Sequence, residues 1–173
     1  MPAFLGDPRG VDAALRDLEA GAARYNGFNL LAGDRLKASW MSNRVPGIHR
    51  LVHGVHGVSN ARLDTPWPKL TRVKAGVAAW SRAGSEDIGA LFDLLGDRAL
   101  APEAELPSTG VPPDWERVLS APFIVSGRYG TRCSTVVTID AESRLRFLER
   151  SFDADGRFVG EVDESFSVAT ATA

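Results

Sequence analysis

The chain has 173 residues, 20 Lys and Arg against 22 Asp and Glu, 44% hydrophobic and 24% charged residues, and one cysteine. That is the length of one ordinary domain with enough apolar content for a core, and its near balance of charge argues against a polyanion such as nucleic acid as partner. A lone Cys133 cannot make an internal disulfide, the chain offers too few Cys and His for a structural zinc site, and no run approaches 18 apolar residues, so a cytoplasmic chain without a membrane span is expected.

In chain order, Asp7-Pro8 reads as a helix start, and Val11, Ala14, Leu15 and Leu18 recur at helical spacing until Gly21 or the Tyr25-Asn26-Gly27 turn. Residues 28–33 and 36–43 read as antiparallel strands joined at Gly33-Asp34, with a third extended piece over 48–52 and a glycine-containing loop over 54–60. Leu70, Val73, Val77 and Trp80 predict an amphipathic helix over 66–83. Ser85-Glu86-Asp87 predicts the start of a second helix that ends near Gly96. The Pro-rich stretch 101–113 is a surface loop, followed by a short helix over 114–119. Four strands are then expected, over 123–125, 131–139, 145–152 and 157–168, with hairpin turns at 140–143 and 153–156. Everything fits one α+β unit spanning 1–173.

Generic chemical motifs are few. The sequence has no glycine-rich phosphate loop and no nucleophile elbow. His53 and His56 are three apart, which in an extended chain puts them on opposite faces, so no metal site is expected. Asp153-x-Asp155-Gly156 resembles part of a calcium loop, but the ligand position at 162 is Val, and a hairpin turn is the better reading. Strand alternation is expected to bury Cys133 as a small hydrophobe rather than to present a nucleophile.

Three stretches carry a resemblance: Tyr25-Asn26-Gly27-Phe28-Asn29-Leu30-Leu31, the segment 57–69 (GVSNARLDTPWPK), and Tyr129-Gly130-Thr131-Arg132, with 147–152 (FLERSF) in support. In this order they resemble the NRDE family, also called the transport and Golgi organisation protein family. The resemblance implies an N-terminal-nucleophile-hydrolase-like αββα fold, with stacked antiparallel sheets flanked by helices. Family chains usually begin with Met-Cys and carry an Asn-Arg-Asp-Glu signature and a Gly-Gly-Thr-Trp stretch, none of which is present here. The fold is therefore expected to be incomplete, the chain matching the C-terminal two thirds of a usual member, with residues 2–6 similar to a helix that follows the usual first third.

Carried over by resemblance, Asn60 looks like the asparagine that donates to a developing oxyanion in related cysteine amidohydrolases, and Arg132 like the arginine beside the nucleophile. An amide N–H there stabilises a tetrahedral oxygen by about 3 kcal/mol, and a guanidinium holds a carboxylate or favours a thiolate. The competing reading is that Asn60 serves a turn and Arg132 a cross-strand ion pair. Trp67, Tyr129 and Asn26 are the candidate ligand-binding residues. The resemblance implies secretory organisation and the handling of haem or a lipid thioester. For haem, His49, His53 and His56 are the only conventional axial candidates. The expected function is a non-catalytic small-ligand (haem or lipid/acyl-thioester) binding or trafficking factor. The alternative is a cysteine amidohydrolase-like enzyme acting on C–N or thioester bonds whose nucleophile is missing, and unpaired sheet edges are expected to favour self-association.

Overall fold

The computed structural model describes Phe4 and residues 7–34 and 37–167. It is a mixed α+β architecture of helices and two antiparallel three-stranded sheets. The chain divides into two compact units, Met1–Thr65 and Pro66–Ala173, each taken here by itself.

Asp7-Pro8 makes a turn rather than a helix start. Asp7 accepts the Arg9 backbone N–H at 2.9 Å, and its carboxylate also binds the Arg9 guanidinium, which pulls its pKa below the ordinary value. Gly10, at φ 85°, then leads into helix α1 (Val11–Ala20), three residues later than the Asp7-Pro8 pair suggests. The carboxylate that looks like a helix cap is committed to a tighter local turn. The expected helix over 2–6 lies, apart from Phe4, outside the described residues.

The sheet of unit 1 comprises β1 (Asn29–Gly33), β2 (Ala38–Ser42) and β3 (Val45–Arg50), in that order. Leu30, Met41 and Ile48 share one face and pack with Val11, Leu15 and Leu18 of α1 around the fully buried Leu15 and Met41. The third strand begins three residues earlier than expected, because Asn43-Arg44 makes a two-residue turn at negative φ. Such a turn matches strand twist poorly, and the register shifts between Met41 and Ser42. The β1–β2 connection is pinned where it is described, Asp34 and Lys37 exchanging hydrogen bonds at 2.9 and 3.1 Å while Lys37 pairs with Asp12 of α1.

Unit 2 begins with α2 (Pro68–Arg82) and α3 (Ile88–Leu95). Pro68 opens α2 at a position where the missing N–H costs nothing. The start of α3 falls at Ile88 because Asp87, not Ser85, caps it, accepting the Ala90 N–H at 3.3 Å. The helices approach closely at Gly76, where a Cβ would lie 2.3 Å from Leu94 Cδ2. Half-buried Lys69 donates to Leu119 O at 2.8 Å, tying the start of α2 to the end of α4 (Pro113–Val118), and desolvation lowers its pKa. Buried Glu116 on α4 accepts both the N–H and the hydroxyl of Thr109 and so folds the Pro-rich loop back.

The second sheet is β4 (Cys133–Ile139), β5 (Arg144–Phe152) and β6 (Phe158–Ser167). Val136 and Leu148 pair across it and pack on Phe92 of α3 with Ile88, Leu91 and Leu95. The expected strand over 123–125 is not formed. Phe123 is buried instead, its N–H donating to Asp97 O at 2.9 Å, and residues 124–131 close into a loop through Thr131, leaving one Val125–Gly130 bridge. Cys133 is exposed, contrary to the expectation from alternation. The buried set on β4 is Ser134 and Val136, so the inward register is offset by one residue from the one that would hide the thiol. Val168 lies outside the described residues. Among the described residues no helix is long and apolar enough to cross a membrane.

Candidate functional site

Asn60 sits on a loop of unit 1 that is closed at its base. Asp64 N donates to Gly57 O at 2.8 Å, and Asp64 Oδ1 accepts the Gly57 N–H at 2.9 Å. The second carboxylate oxygen meets His56 Nδ1 at 2.8 Å. Asp64 holds this position at φ 56°, a conformation that Asp tolerates better than most residues. The loop's crown is tied to the sheet, because Asn29 Nδ2 donates to Ser59 O at 3.3 Å while Asn29 Oδ1 accepts from Trp40 Nε1 at 3.0 Å.

The opposite wall is built by Asn43 at the β2–β3 turn. Its Oδ1 accepts the Phe28 N–H at 3.0 Å, and its Nδ2 faces the carbonyls of Ala22, Tyr25 and Asn26 at 3.0–3.2 Å. One side-chain amide thus fixes the Tyr25-Asn26-Gly27-Phe28 segment. Ser42 adds a hydroxyl bond to Phe28 O at 2.7 Å.

Between these walls lies a hollow of about 730 Å³, lined by Gly27, Asn29 and Arg44 on the sheet side and by Ser59, Asn60 and Arg62 on the loop. No acid is among its lining residues. Arg44, Arg62 and Asn60 are all exposed, and among the described residues none has a side-chain partner in the protein. Two unneutralised guanidinium groups and a free amide donor in one concavity make a place for a carboxylate or phosphate. Arg44 lies across Gly27, where a Cβ would stand 2.7 Å from its Nε.

The other sequence candidates are placed as follows. Asn26 is exposed, and its carbonyl, rather than its side chain, is held by Asn43. Arg132 belongs to unit 2, where it precedes β4 and donates to Asp153 O at 2.6 Å; among the described residues it makes no cross-strand ion pair. Trp67 stands immediately before α2, and its carbonyl accepts the Thr71 N–H. Tyr129 is half exposed and meets Trp115 edge-on with centroids 6.3 Å apart. Of the haem-ligand candidates, His56 has one ring nitrogen on Asp64 and the other on Val52 O, and His49 Nε2 is on Pro46 O. His53 alone keeps its ring free among the described residues. This donor set fits axial ligation of haem poorly.

Sequence reasoning missed Asn43, Arg44, Arg62 and the His56–Asp64 pair. Arg62 and Asp64 stand inside the 57–69 block, whereas Asn43 carries no local signal because its partners lie 15–21 residues away.

The model of the family described as Transport and Golgi organisation 2 matches residues 2–154. The chain belongs to this family. It is 35% identical over 145 residues to the Transport and Golgi organization protein 2 homolog of Homo sapiens, covering 73% of this chain and 51% of that one. It is 31% identical over 145 residues to the homolog of Mus musculus, with the same coverage. Against the homolog of Bos taurus it is 35% identical over 154 residues, covering 79% of this chain and 55% of that one. This member of the transport and Golgi organisation 2 family spans about half the length of the curated relatives it matches. NRDE is another name for the same family.

Proposed function

We propose that this family member is a non-catalytic binding or trafficking factor for a small ligand that bears an anionic group, taken up in the hollow beside Asn60. The observation that carries the reading is the pair Arg44 and Arg62, unneutralised and facing one concavity with the Asn60 amide. A charge-assisted contact of this kind favours the phosphates of a coenzyme A thioester or the carboxylates of haem, and a cavity of this size suits a small-molecule ligand. The relatives' names, which concern transport and Golgi organisation, agree with a carrier role. The His49 and His56 contacts weigh toward the acyl thioester over haem.

Within unit 1 there is no cysteine to act beside Asn60, and the Ser42 hydroxyl in the hollow is committed to Phe28 O, which weighs toward binding over hydrolysis. The test is an equilibrium titration with palmitoyl-coenzyme A. Saturable binding that weakens at least about tenfold in Arg44→Ala, Arg62→Ala and Asn60→Ala supports the reading. Binding unaltered in all three overturns it.

A further inference from the structure

Unit 2 contains a second hollow, of about 420 Å³, on the α3 side of its sheet and unrelated to Asn60. Its walls are four phenylalanines: Phe92 on α3, Phe123 on the segment after Pro122, and Phe152 and Phe158 at the ends of β5 and β6. Phe123 and Phe152 meet edge to face with centroids 4.7 Å apart and form a rigid base. Phe158, the cross-strand partner of Phe152, is 60% exposed, so a large apolar ring stands uncovered at the rim. An exposed ring at the edge of an aromatic concavity is apolar surface that an occupant would remove from water.

The polar groups of this hollow are two arginines and one glutamate. Arg150 lies over the Phe92 ring at 4.1 Å and is neutralised by Glu161 at 2.7 Å. Arg98 lies over the Phe123 ring at 4.9 Å and donates one N–H to Gly156 O at 2.7 Å. It has no acid partner among the described residues. The lining therefore carries one uncompensated positive charge on a guanidinium held by a ring and a carbonyl, with further N–H donors to offer. Mostly apolar walls with one oriented polar group are the general form of a small-molecule site.

We infer that this hollow is a binding site for a small monoanion with a flat apolar body, an aryl carboxylate in chemical class, its ring packed against Phe152 and Phe158 and its carboxylate on Arg98. The inference does not depend on the anion site beside Asn60.

The experiment is calorimetric titration of the folded chain with 2-naphthoate, with neutral 2-naphthamide as the comparison ligand. The expected result is saturable naphthoate binding and amide binding at least about tenfold weaker. Phe158→Ala, a change at an exposed ring, weakens naphthoate at least tenfold, and Arg98→Gln brings naphthoate down to the level of the amide. No saturable binding, equal affinity for acid and amide, or full affinity in Phe158→Ala overturns the inference. So does a signal lost in Arg62→Ala but kept in Phe158→Ala, which would place the ligand in the other hollow.

Discussion

His56 Nδ1 lies 2.8 Å from Asp64 Oδ2, and the same carboxylate takes the Gly57 N–H on its other oxygen, so one acid closes the loop that carries Ser59, Asn60 and Arg62. The loop is positioned by its base and by the Asn29 bond to Ser59 O, while the side chains of Asn60 and Arg62 are without a partner among the described residues. Asp64→Ala removes both contacts and strands a part-buried N–H, an expected loss of about 1–3 kcal/mol of local stability. Hydrogen exchange at the Gly57 amide should accelerate sharply, and affinity at the Asn60 hollow should fall with it. Asp64→Asn keeps an acceptor and the left-handed backbone and should lose less of both.

Asn43 anchors the other wall with an acceptor for the Phe28 N–H and donors for three carbonyls. Asn43→Ala removes all four contacts, Ala22 O keeping only the Tyr25 N–H, and is expected to lower the stability of unit 1 by about 2–3 kcal/mol, read from the urea midpoint. Asn43→Asp retains the Phe28 contact but not the donors, and should fall between wild type and alanine.

Gly156 closes the β5–β6 hairpin at φ 70°, and a Cβ there would stand 2.7 Å from Val125 Cγ2 and 3.1 Å from Phe123 Cε1. Gly156→Ala therefore combines backbone strain with overpacking and should cost about 2–3 kcal/mol in unit 2. Ser143 adopts φ 67° in the neighbouring hairpin, and Ser143→Gly, which relieves that conformation, should be neutral or stabilising by up to about 1 kcal/mol. Thermal unfolding of the two variants separates the effects.

Acid should loosen both hairpins of the second sheet. Asp140 is held below its ordinary pKa of 3.8 chiefly by the Arg144 backbone N–H, and Asp153 by that of Arg157. Asp163 on β6 is lowered by the Arg146 guanidinium, which reaches it diagonally across the strand pair. Each folded carboxyl titrates below its unfolded value, so its stabilisation is complete above about pH 4 and is lost as pH falls through the folded pKa. The denaturant midpoint should stay level from neutral pH to about pH 4 and drop below it. In Asp140→Asn with Asp153→Asn that drop should be shallower.

Elements with strong periodicity were legible in the sequence. The helices around Leu15, Val77 and Phe92 and the strands around Leu30, Val136 and Leu148 stand where 3.6- and 2-residue patterns put them. What local pattern could not show was decided by partners distant in sequence. Phe123 looks like a strand residue yet fills the space beneath the β5–β6 turn. Cys133 looks buried by alternation, but alternation leaves the choice of face open, and α3 packs on the face of Val136. Asn60 is a candidate through its sequence block, whereas Arg44 and Arg62 become candidates only once the β2–β3 turn and the 57–64 loop are seen to share a hollow.

The most direct test of the anion-binding account is a residue-resolved map of palmitoyl-coenzyme A binding by backbone amide NMR. The account predicts saturable shifts concentrated at Gly27, Asn29, Arg44 and residues 59–62, abolished together in the Arg44→Ala, Arg62→Ala double variant, whose unperturbed spectrum remains that of a folded chain. Shifts of equal size in that variant, or shifts confined to unit 2, would contradict it.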